Sequence, residues 1–168
     1  MLTTERVEIT VPGGRILILQ FVPADARPLF ALIDRNRGHL SQFDDETADK
    51  YPDFESVLDS ILNPKDPNRL RLGIWCEGDL AGSINFTFGH RNAAEIGYWV
   101  GSEFCRQGLA TVATRSIIEY AKRLVNVDRV TANAHINNLA SRIVLTRAGM
   151  EETHRSDTHV FFALGTAG

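Results

Sequence analysis

Cysteine is scarce in this 168-residue chain, and the absences narrow its function before any motif is considered. Only Cys76 and Cys105 are present, with no CxxC pair and no histidine–cysteine cluster at the spacing of metal ligands. This pattern indicates a reducing compartment, no disulfide framework and no metal site. The net charge is −3 at pH 7, so no basic field favours non-specific binding of nucleic acid.

Long apolar runs are also missing from the chain. No stretch approaches the roughly 18 residues that suggest a membrane span, and the opening MLTTERVEIT lacks the apolar segment of a signal peptide. We therefore expect a cytoplasmic protein without a membrane partner. The sequence is 43% hydrophobic and 23% charged, with no repeats or linkers, which predicts one domain over residues 1–168.

Hydrophobic periodicity predicts alternating strands and helices, and hence an α/β fold with a mixed sheet. The helix after Gly108 carries an apolar stripe that reaches Leu124, whereas the polar stretch 36–51 has no period and is predicted to be a loop with a helical turn. Strands are predicted near 7–11, 15–22, 70–76, 84–88, 94–100, 129–135 and 160–164, and helices from Pro23, from Pro52, after Gly108 and over 139–147.

Three short motifs follow one another in the second half of the chain. They are AEIGYWV at 94–100, QGLAT at 107–111, and NLAS at 138–141 leading to AGM at 148–150. Together with the closing strand near 157–164, this series resembles the GNAT superfamily of N-acetyltransferases, and most closely its RimJ/RimL branch. The resemblance covers about residues 70–164. One glycine-rich loop alone is a weak signal, but an ordered series is a strong one.

The resemblance implies a single-domain GNAT fold. Its mostly antiparallel, twisted mixed sheet would be flanked by helices and would hold acyl-CoA in a cleft between central strands. The implied activity is direct transfer of an acetyl group from acetyl-CoA to a primary amine, in a small molecule or at a peptide or protein N-terminus. A non-catalytic acyl-CoA-binding sensor is the alternative, and a homodimer is left open.

A short glycine-containing loop between a strand and a helix suits an anion. The N–H groups at a helix start carry partial positive charge, and Gly108 and Ala110 keep side chains away from a pyrophosphate. An ordinary β–loop–α turn is the alternative. The chain departs from the family motif at Cys105, where Gln or Arg is usual, with Arg106 beside it as a substitute donor. The resemblance implies acyl-CoA contacts from Tyr98, Val100, Arg106, Gln107, Gly108, Leu109, Ala110, Thr111 and Asn138.

Amide formation from a thioester needs a base for the amine and an acid for the leaving thiolate. Glu95 lies on the strand before the loop. The resemblance supports it as the base, because acidic residues on the matching strand serve as base in several family members; a surface ion pair is its structural alternative. Ser141 takes the position that the resemblance assigns to the acid. Its alternative role is that of a residue at a helix start, although Asn138 is the better N-cap.

The acceptor is expected near the polar stretch after the first helix. His39 is followed closely by Asp44, Asp45 and Glu46, and these charges would favour a cationic amine. A solvated acidic loop is the alternative. His135, at the end of a predicted strand, is a second and less suggestive titratable candidate.

Overall fold

One eight-stranded sheet forms the centre of the protein, with strand order β1-β2-β3-β4-β5-β6-β8-β7. The computed structural model describes residues 5–123 and 127–165, so Leu124 of the predicted helical stripe lies outside the described residues. Every pairing in the sheet is antiparallel except β5 with β6. The strands are β1 (Glu8–Thr10), β2 (Ile16–Gln20), β3 (Arg69–Cys76), β4 (Asp79–Phe88), β5 (Ala93–Val100), β6 (Arg129–His135), β7 (Glu151–Arg155) and β8 (His159–Gly165).

Helices cover both faces of the sheet. In the described part of the chain, short 3-10 turns at Pro23–Asp25, Gln42–Asp44 and Ser102–Phe104 join them to the other elements. No helix among the described residues is long and apolar enough to cross a membrane. The helices are α1 (Ala26–Arg35), α2 (Arg37–Leu40), α3 (Thr47–Lys50), α4 (Phe54–Leu62), α5 (Leu109–Lys122) and α6 (Leu139–Arg147).

Strand alternation divides the core into two layers. Even-numbered residues of β5, such as Ile96, pack with Ile117 of α5 and Leu145 of α6. Odd-numbered Trp99 instead packs against the cluster of Leu32 in α1 and Val57 in α4. The sheet therefore has an α5/α6 face and an α1/α4 face. Even-numbered side chains of β5 lie on the α5/α6 face, and odd-numbered ones lie on the α1/α4 face.

The predicted fold class is confirmed, and the seven predicted strands are present. An eighth strand, β7, is not predicted, because Glu151–Arg155 is exposed throughout and has no apolar alternation. The second helix begins two residues after Pro52, at Phe54, because Asp53 caps it by accepting a hydrogen bond from the Ser56 N–H at 2.7 Å.

The prediction of a loop with one helical turn for 36–51 is wrong. The segment holds α2, a 3-10 turn and α3, each too short to show a helical period in the sequence. Leu40 and Ala48 are buried against the α1–α4 layer and keep these short helices in place. Tertiary packing, rather than local periodicity, thus determines this segment.

Gly82 of β4 provides a test of the sheet geometry. A Cβ atom there would lie 2.3 Å from the Trp99 carbonyl oxygen, a backbone atom that cannot rotate away. We expect Gly82→Ala to lower the free energy of unfolding by about 1–3 kcal/mol, measured by urea denaturation. Gly97→Ala is the matched control in the neighbouring strand, because a Cβ there meets nothing within 4 Å. Equal stability of the two variants would contradict the β4–β5 register.

Candidate active site

A gap between β5 and β6 is the central feature of the candidate site. The two strands pair in parallel only from Ala93 opposite Arg129 to Glu95 opposite Thr131. Beyond Glu95, β5 continues along β4 to Val100, while β6 continues along β8 to His135. Each strand is held by its outer neighbour, so the two diverge and leave a V-shaped opening in the sheet.

The walls of this opening are two strand edges with unpaired backbone groups. The Gly101 N–H donates to Ala81 O and the Gly89 N–H to Ala93 O, both at 2.8 Å, so odd-numbered residues of β5 face β4. Alternation then directs the N–H and C=O groups of Tyr98 and Val100 toward the opening, and of these the Val100 carbonyl oxygen is occupied by His39, 3.0 Å away. An extended chain with amide groups could pair with this edge as a further strand.

A cavity of about 360 Å³ passes through the opening from one face of the sheet to the other. Tyr98, Asn138 and Ser141 line it on the α5/α6 face. The segment from Gln42 to Thr47 and the α3 residue Lys50 line it on the α1/α4 face. Residues of β6 and β8 complete the wall: Asn133, Ala134, His135 and His159.

Tyr98 and Ser141 form a hydrogen-bonded pair inside the cavity. The two hydroxyl oxygens are 2.8 Å apart, and the Tyr98 hydroxyl also lies 3.3 Å from the Ser141 carbonyl oxygen. Burial raises the pKa of Tyr98 to about 12, although the hydrogen bond with Ser141 acts in the opposite direction. The Tyr98 phenol therefore stays protonated at neutral pH.

Asn138 is the N-cap of α6, as the sequence predicts. Its side-chain oxygen accepts a hydrogen bond from the Ser141 N–H at 3.1 Å. The amide of Ser141 is thus used by the cap, whereas its hydroxyl faces Tyr98. The Ser141 side chain is therefore not the cap of this helix.

The start of α5 offers a row of unpaired N–H groups. Gly108, with φ of 74°, is the N-cap and makes no side-chain capping bond. The first backbone bond of the helix runs from the Val112 N–H to Gly108 O at 3.0 Å. The N–H groups of Leu109, Ala110 and Thr111 find no acceptor in the described part of the chain, which suits a phosphate group.

The side chains around this loop are already engaged in part. The Gln107 side-chain oxygen accepts from the Arg15 guanidinium at 3.2 Å, so only its backbone is free for a ligand. Arg106 adopts a left-handed backbone with φ of 65° and is exposed. Burial, followed by the charge of Glu103, raises the pKa of the Cys105 thiol.

His39 lies outside the residues that line the cavity. Its Nε2 is 3.0 Å from Val100 O and 3.8 Å from Cys105 Sγ. A carbonyl oxygen only accepts, so His39 Nε2 must carry a hydrogen. The structure thus places His39 against the end of β5, beside the loop that contains Gly108.

Glu95 is exposed on the α1/α4 face, at the base of the opening. It is the last residue of β5 that pairs with β6. Its carboxylate makes no hydrogen bond or ion pair with any described residue, so the ion pair considered as its structural alternative is not present there. Glu95 does not line the cavity; it lies at the base of the opening, where its carboxylate is open to solvent and to a ligand.

The acidic segment lines the cavity on the same face as Glu95. Phe43 (φ 57°) and Asp44 (φ 60°) both adopt left-handed backbone conformations, and the Phe43 ring lies 5.8 Å from the His135 ring. Asp45 accepts from the Thr47 N–H at 2.7 Å, which starts α3. The Glu46 carboxylate lies 3.9 Å from the Lys50 ammonium, and the Asp44 side chain is 89% exposed, with its carboxylate facing His135.

His135, ranked below His39 in the sequence, proves to be the histidine of the cavity. Its Nδ1 accepts from the Asn137 N–H at 3.1 Å, so the proton lies on Nε2, which is 3.6 Å from an oxygen of Asp44. Phe43, Lys50, Asn133 and His159 also line the cavity and are not predicted. Asn133 and His159 could have been indicated only by an open β6 edge, and a single sequence does not show where two strands diverge. Phe43 and Lys50 lie in the segment 36–51, for which the sequence predicts a loop with a helical turn.

Comparisons with known proteins agree with this geometry. The sequence model of the acetyltransferase (GNAT) domain family matches residues 15–151. A relative from Bacillus subtilis (strain 168), named "Putative ribosomal N-acetyltransferase YdaF", is 34% identical over 146 residues, which cover 82% of this chain and 78% of the relative.

Solved structures share the fold at lower sequence identity. The ribosomal L7/L12 alpha-N-protein acetyltransferase RimL, in complex with coenzyme A, matches with a TM-score of 0.84 at 18% identity, over 95% of this chain and 98% of that one. The microcin C7 self-immunity acetyltransferase MccE, in complex with acetyl-CoA and AMP, matches with a TM-score of 0.74 at 20% identity, over 90% and 92% of the two chains. These matches establish that the chain belongs to the GNAT family and is an N-acetyltransferase. The opening in the sheet and the unpaired N–H groups at the start of α5 agree with this assignment.

Proposed function

We propose that this protein transfers the acetyl group of acetyl-CoA to the α-amine of a peptide or protein N-terminus by direct attack in a ternary complex. The observation that carries the proposal is the cavity that joins the two faces of the sheet. It brings the proposed acid, Ser141, and the acidic segment Gln42–Thr47 to opposite ends of one opening. We call Gln42–Thr47 the acceptor segment.

The residues present fit coenzyme A at two places. Three unpaired N–H groups at the start of α5 suit its pyrophosphate. The β5 edge, with the N–H and C=O of Tyr98 and the N–H of Val100, suits the amides of its pantetheine arm, whereas the Val100 carbonyl oxygen is occupied by His39. The thioester supplies an activated acetyl group. The Asn138 side-chain nitrogen, which the cap does not use, can bond the same arm.

Ser141 donates a proton to the leaving sulfur, and Tyr98 supports it. When the Tyr98 O–H donates to Ser141 Oγ, the Ser141 proton is turned away from Tyr98 and toward the cavity. A phenol is also far more acidic than an aliphatic hydroxyl, so it stabilises negative charge that develops on Ser141 Oγ. The pair therefore acts as one acid.

Glu95 accepts the amine proton from the other face. It stands at the base of the opening on the α1/α4 face, where the acceptor segment also lies. The incoming amine and the leaving sulfur occupy different sides of the carbonyl carbon, so a base and an acid on opposite faces of the sheet suit direct transfer. A water molecule can carry the proton to the exposed carboxylate.

The acceptor segment favours a cationic amine followed by a chain. Asp44, Asp45 and Glu46 place negative charge where the amine enters, and Asp44 is largely solvent-exposed, so the entrance is open to the surface. YdaF, whose name describes a ribosomal N-acetyltransferase, supports a protein N-terminus over a small amine. A non-catalytic acyl-CoA sensor would not need the Tyr98–Ser141 pair, and family membership also disfavours it.

Thiol release from acetyl-CoA in the presence of matched peptides tests the function. We expect release with a lysine-free peptide that has a free N-terminus, and none with an N-terminally blocked peptide that contains lysine. In the Ser141→Ala protein kcat should fall by about 10²-fold, with the Kd for CoA unchanged. Release with the blocked peptide alone, or with polyamines alone, would overturn the proposed acceptor.

Replacing Glu95 by Gln keeps the shape of the side chain and removes the base. We expect kcat to fall by about 10²–10⁴-fold, with the loss partly recovered as pH rises because the free amine becomes more abundant. The control is Glu8→Gln, an exposed glutamate on the distant edge strand β1. A change confined to the acceptor KM would make Glu95 a binding residue instead.

Gly108→Val tests the binding of coenzyme A at the α5 loop. Valine strains the left-handed backbone and blocks the N–H groups, so the Kd for CoA should rise at least about tenfold, measured by calorimetry. Gly78→Val is the matched control, because Gly78 also has a positive φ, of 89°, but lies in the β3–β4 turn. Equal CoA affinity in the two folded variants would refute the loop assignment.

A further inference from the structure

Asn36, at the junction of α1 and α2, makes contacts that the chemistry above does not use. Its side chain is 2% exposed, and all of its hydrogen-bonding groups are paired. The side-chain oxygen accepts from both the N–H and the hydroxyl of Ser102 at 2.9 Å. The side-chain nitrogen donates to Leu32 O at 2.9 Å and to a Glu103 carboxylate oxygen at 3.2 Å.

Ser102 and Glu103, which bond the Asn36 side chain, lead into the loop that contains Gly108 and precedes α5. We call this loop the CoA loop. Ser102–Phe104 is the 3-10 turn that leads from β5 into the loop of Gly108. Gly101 precedes it, and a Cβ there would lie 2.9 Å from Leu32 and 3.2 Å from the Asn36 side-chain nitrogen. The turn is therefore packed closely on α1, and a Cβ at Gly101 would require the Leu32 side chain to shift.

Two neighbours of Asn36 contact the same stretch of chain. Arg35 pairs with Glu103 at 2.6 Å, and His39 donates to Val100 O at 3.0 Å. Burial would raise the pKa of Glu103, but hydrogen bonds from Arg35 and Asn36 outweigh it and hold the pKa of this carboxyl below its usual value. We call the contacts of Arg35, Asn36 and His39 with residues 100–105 the α2 bracket.

The α2 bracket connects the two substrate sites. One side of it fixes the end of β5 and the turn before the CoA loop. The other side continues directly along the chain, through Leu40, into the Gln42–Thr47 segment that lines the acceptor end of the cavity. A displacement of the CoA loop must therefore move or strain the acceptor segment.

We propose that Asn36 and His39 are positioning residues that couple binding at the CoA loop to the conformation of the acceptor segment. This inference rests on the proposed function for its ligand, but not on the identity of the acceptor. By reciprocity, an acceptor that orders the segment also strengthens binding at the CoA loop. The two residues act through contacts with Ser102, Glu103 and Val100, and neither touches the reacting atoms.

The test uses adenosine 3′-phosphate 5′-diphosphate, the part of CoA that carries the pyrophosphate. It lacks the pantetheine arm, so it cannot reach the acceptor segment directly. Hydrogen exchange of the wild-type protein should slow at residues 105–111 and also at residues 40–47 when this nucleotide binds. In Asn36→Ala and His39→Leu the response at 40–47 should be lost, and the nucleotide Kd should rise several-fold.

Matched variants separate coupling from a loss of stability. Asn63→Ala removes an exposed asparagine at the end of α4 that bonds only Asp59, and it should leave both responses intact. His39→Gln keeps an N–H donor toward Val100 O that His39→Leu lacks. It should therefore show the response at 40–47 that is lost in His39→Leu. A purely structural role of His39 does not require this recovery.

Several results would overturn the coupling. Slower exchange at 105–111 in the wild type without any change at 40–47 would refute it while leaving the proposed function intact. Variants that melt at lower temperature but keep the wild-type response at 40–47 would show that the bracket is only structural. Failure of the wild type to bind either the nucleotide or CoA would overturn the coupling together with the proposed function.

Discussion

The divergence of β5 from β6 is the constraint on which the rest of the site depends. A parallel pair usually continues until one strand ends, but here it stops after Glu95 opposite Thr131 while both strands continue. Each strand keeps an antiparallel partner on its other side, β4 for β5 and β8 for β6, so the energy of the sheet is retained on both sides of the opening. The unpaired edges that remain would be costly if buried dry, and a ligand with amide groups satisfies them.

The opening also explains why the chemistry can be shared between two faces of one sheet. Residues on a strand alternate, so a continuous sheet would separate Glu95 from Tyr98 and Ser141. The gap removes the barrier between the two faces. The cavity of about 360 Å³ runs through it from Tyr98 and Ser141 to the acceptor segment, and Glu95 lies at the base of the opening, outside the cavity lining. The start of α5 supplies the N–H groups for an anion, β5 and α6 supply Tyr98 and Ser141, and the chain between α2 and α3 supplies the acceptor segment. The contacts of the α2 bracket join the two halves.

Local signals in the sequence predict the parts of the site whose geometry is local. The alternation of residues 94–100 predicts β5 and assigns Glu95 and Tyr98 to opposite faces, and the Gly108 loop predicts the start of α5. Asn138 is correctly predicted as an N-cap because capping involves residues only three apart. These features need no knowledge of the distant chain.

Features that arise from distant contacts could not be predicted. Asn36 looks like an ordinary polar residue at a helix end, since its partners Ser102 and Glu103 follow 66 and 67 positions later. His39 likewise bonds a residue distant in the sequence, Val100, and does not line the cavity. The histidine that lines the cavity near the acceptor segment is His135. The assignments of Glu95 and Ser141 to catalysis remain predictions that rest on family resemblance and on placement.

The left-handed backbone conformations connect the two ends of the site. Six described non-glycine residues have positive φ, and three of them, Glu77, Arg91 and Asn92, lie in hairpin turns, where such angles are expected. The other three, Phe43, Asp44 and Arg106, lie in the acceptor segment and the CoA loop, where no hairpin explains them. Each costs about 1–2 kcal/mol, which the contacts of the α2 bracket and the packing of Phe43 on His135 must offset. Among the described residues outside the turns, this strain is confined to the two substrate segments, which suits segments whose conformations are coupled through the α2 bracket.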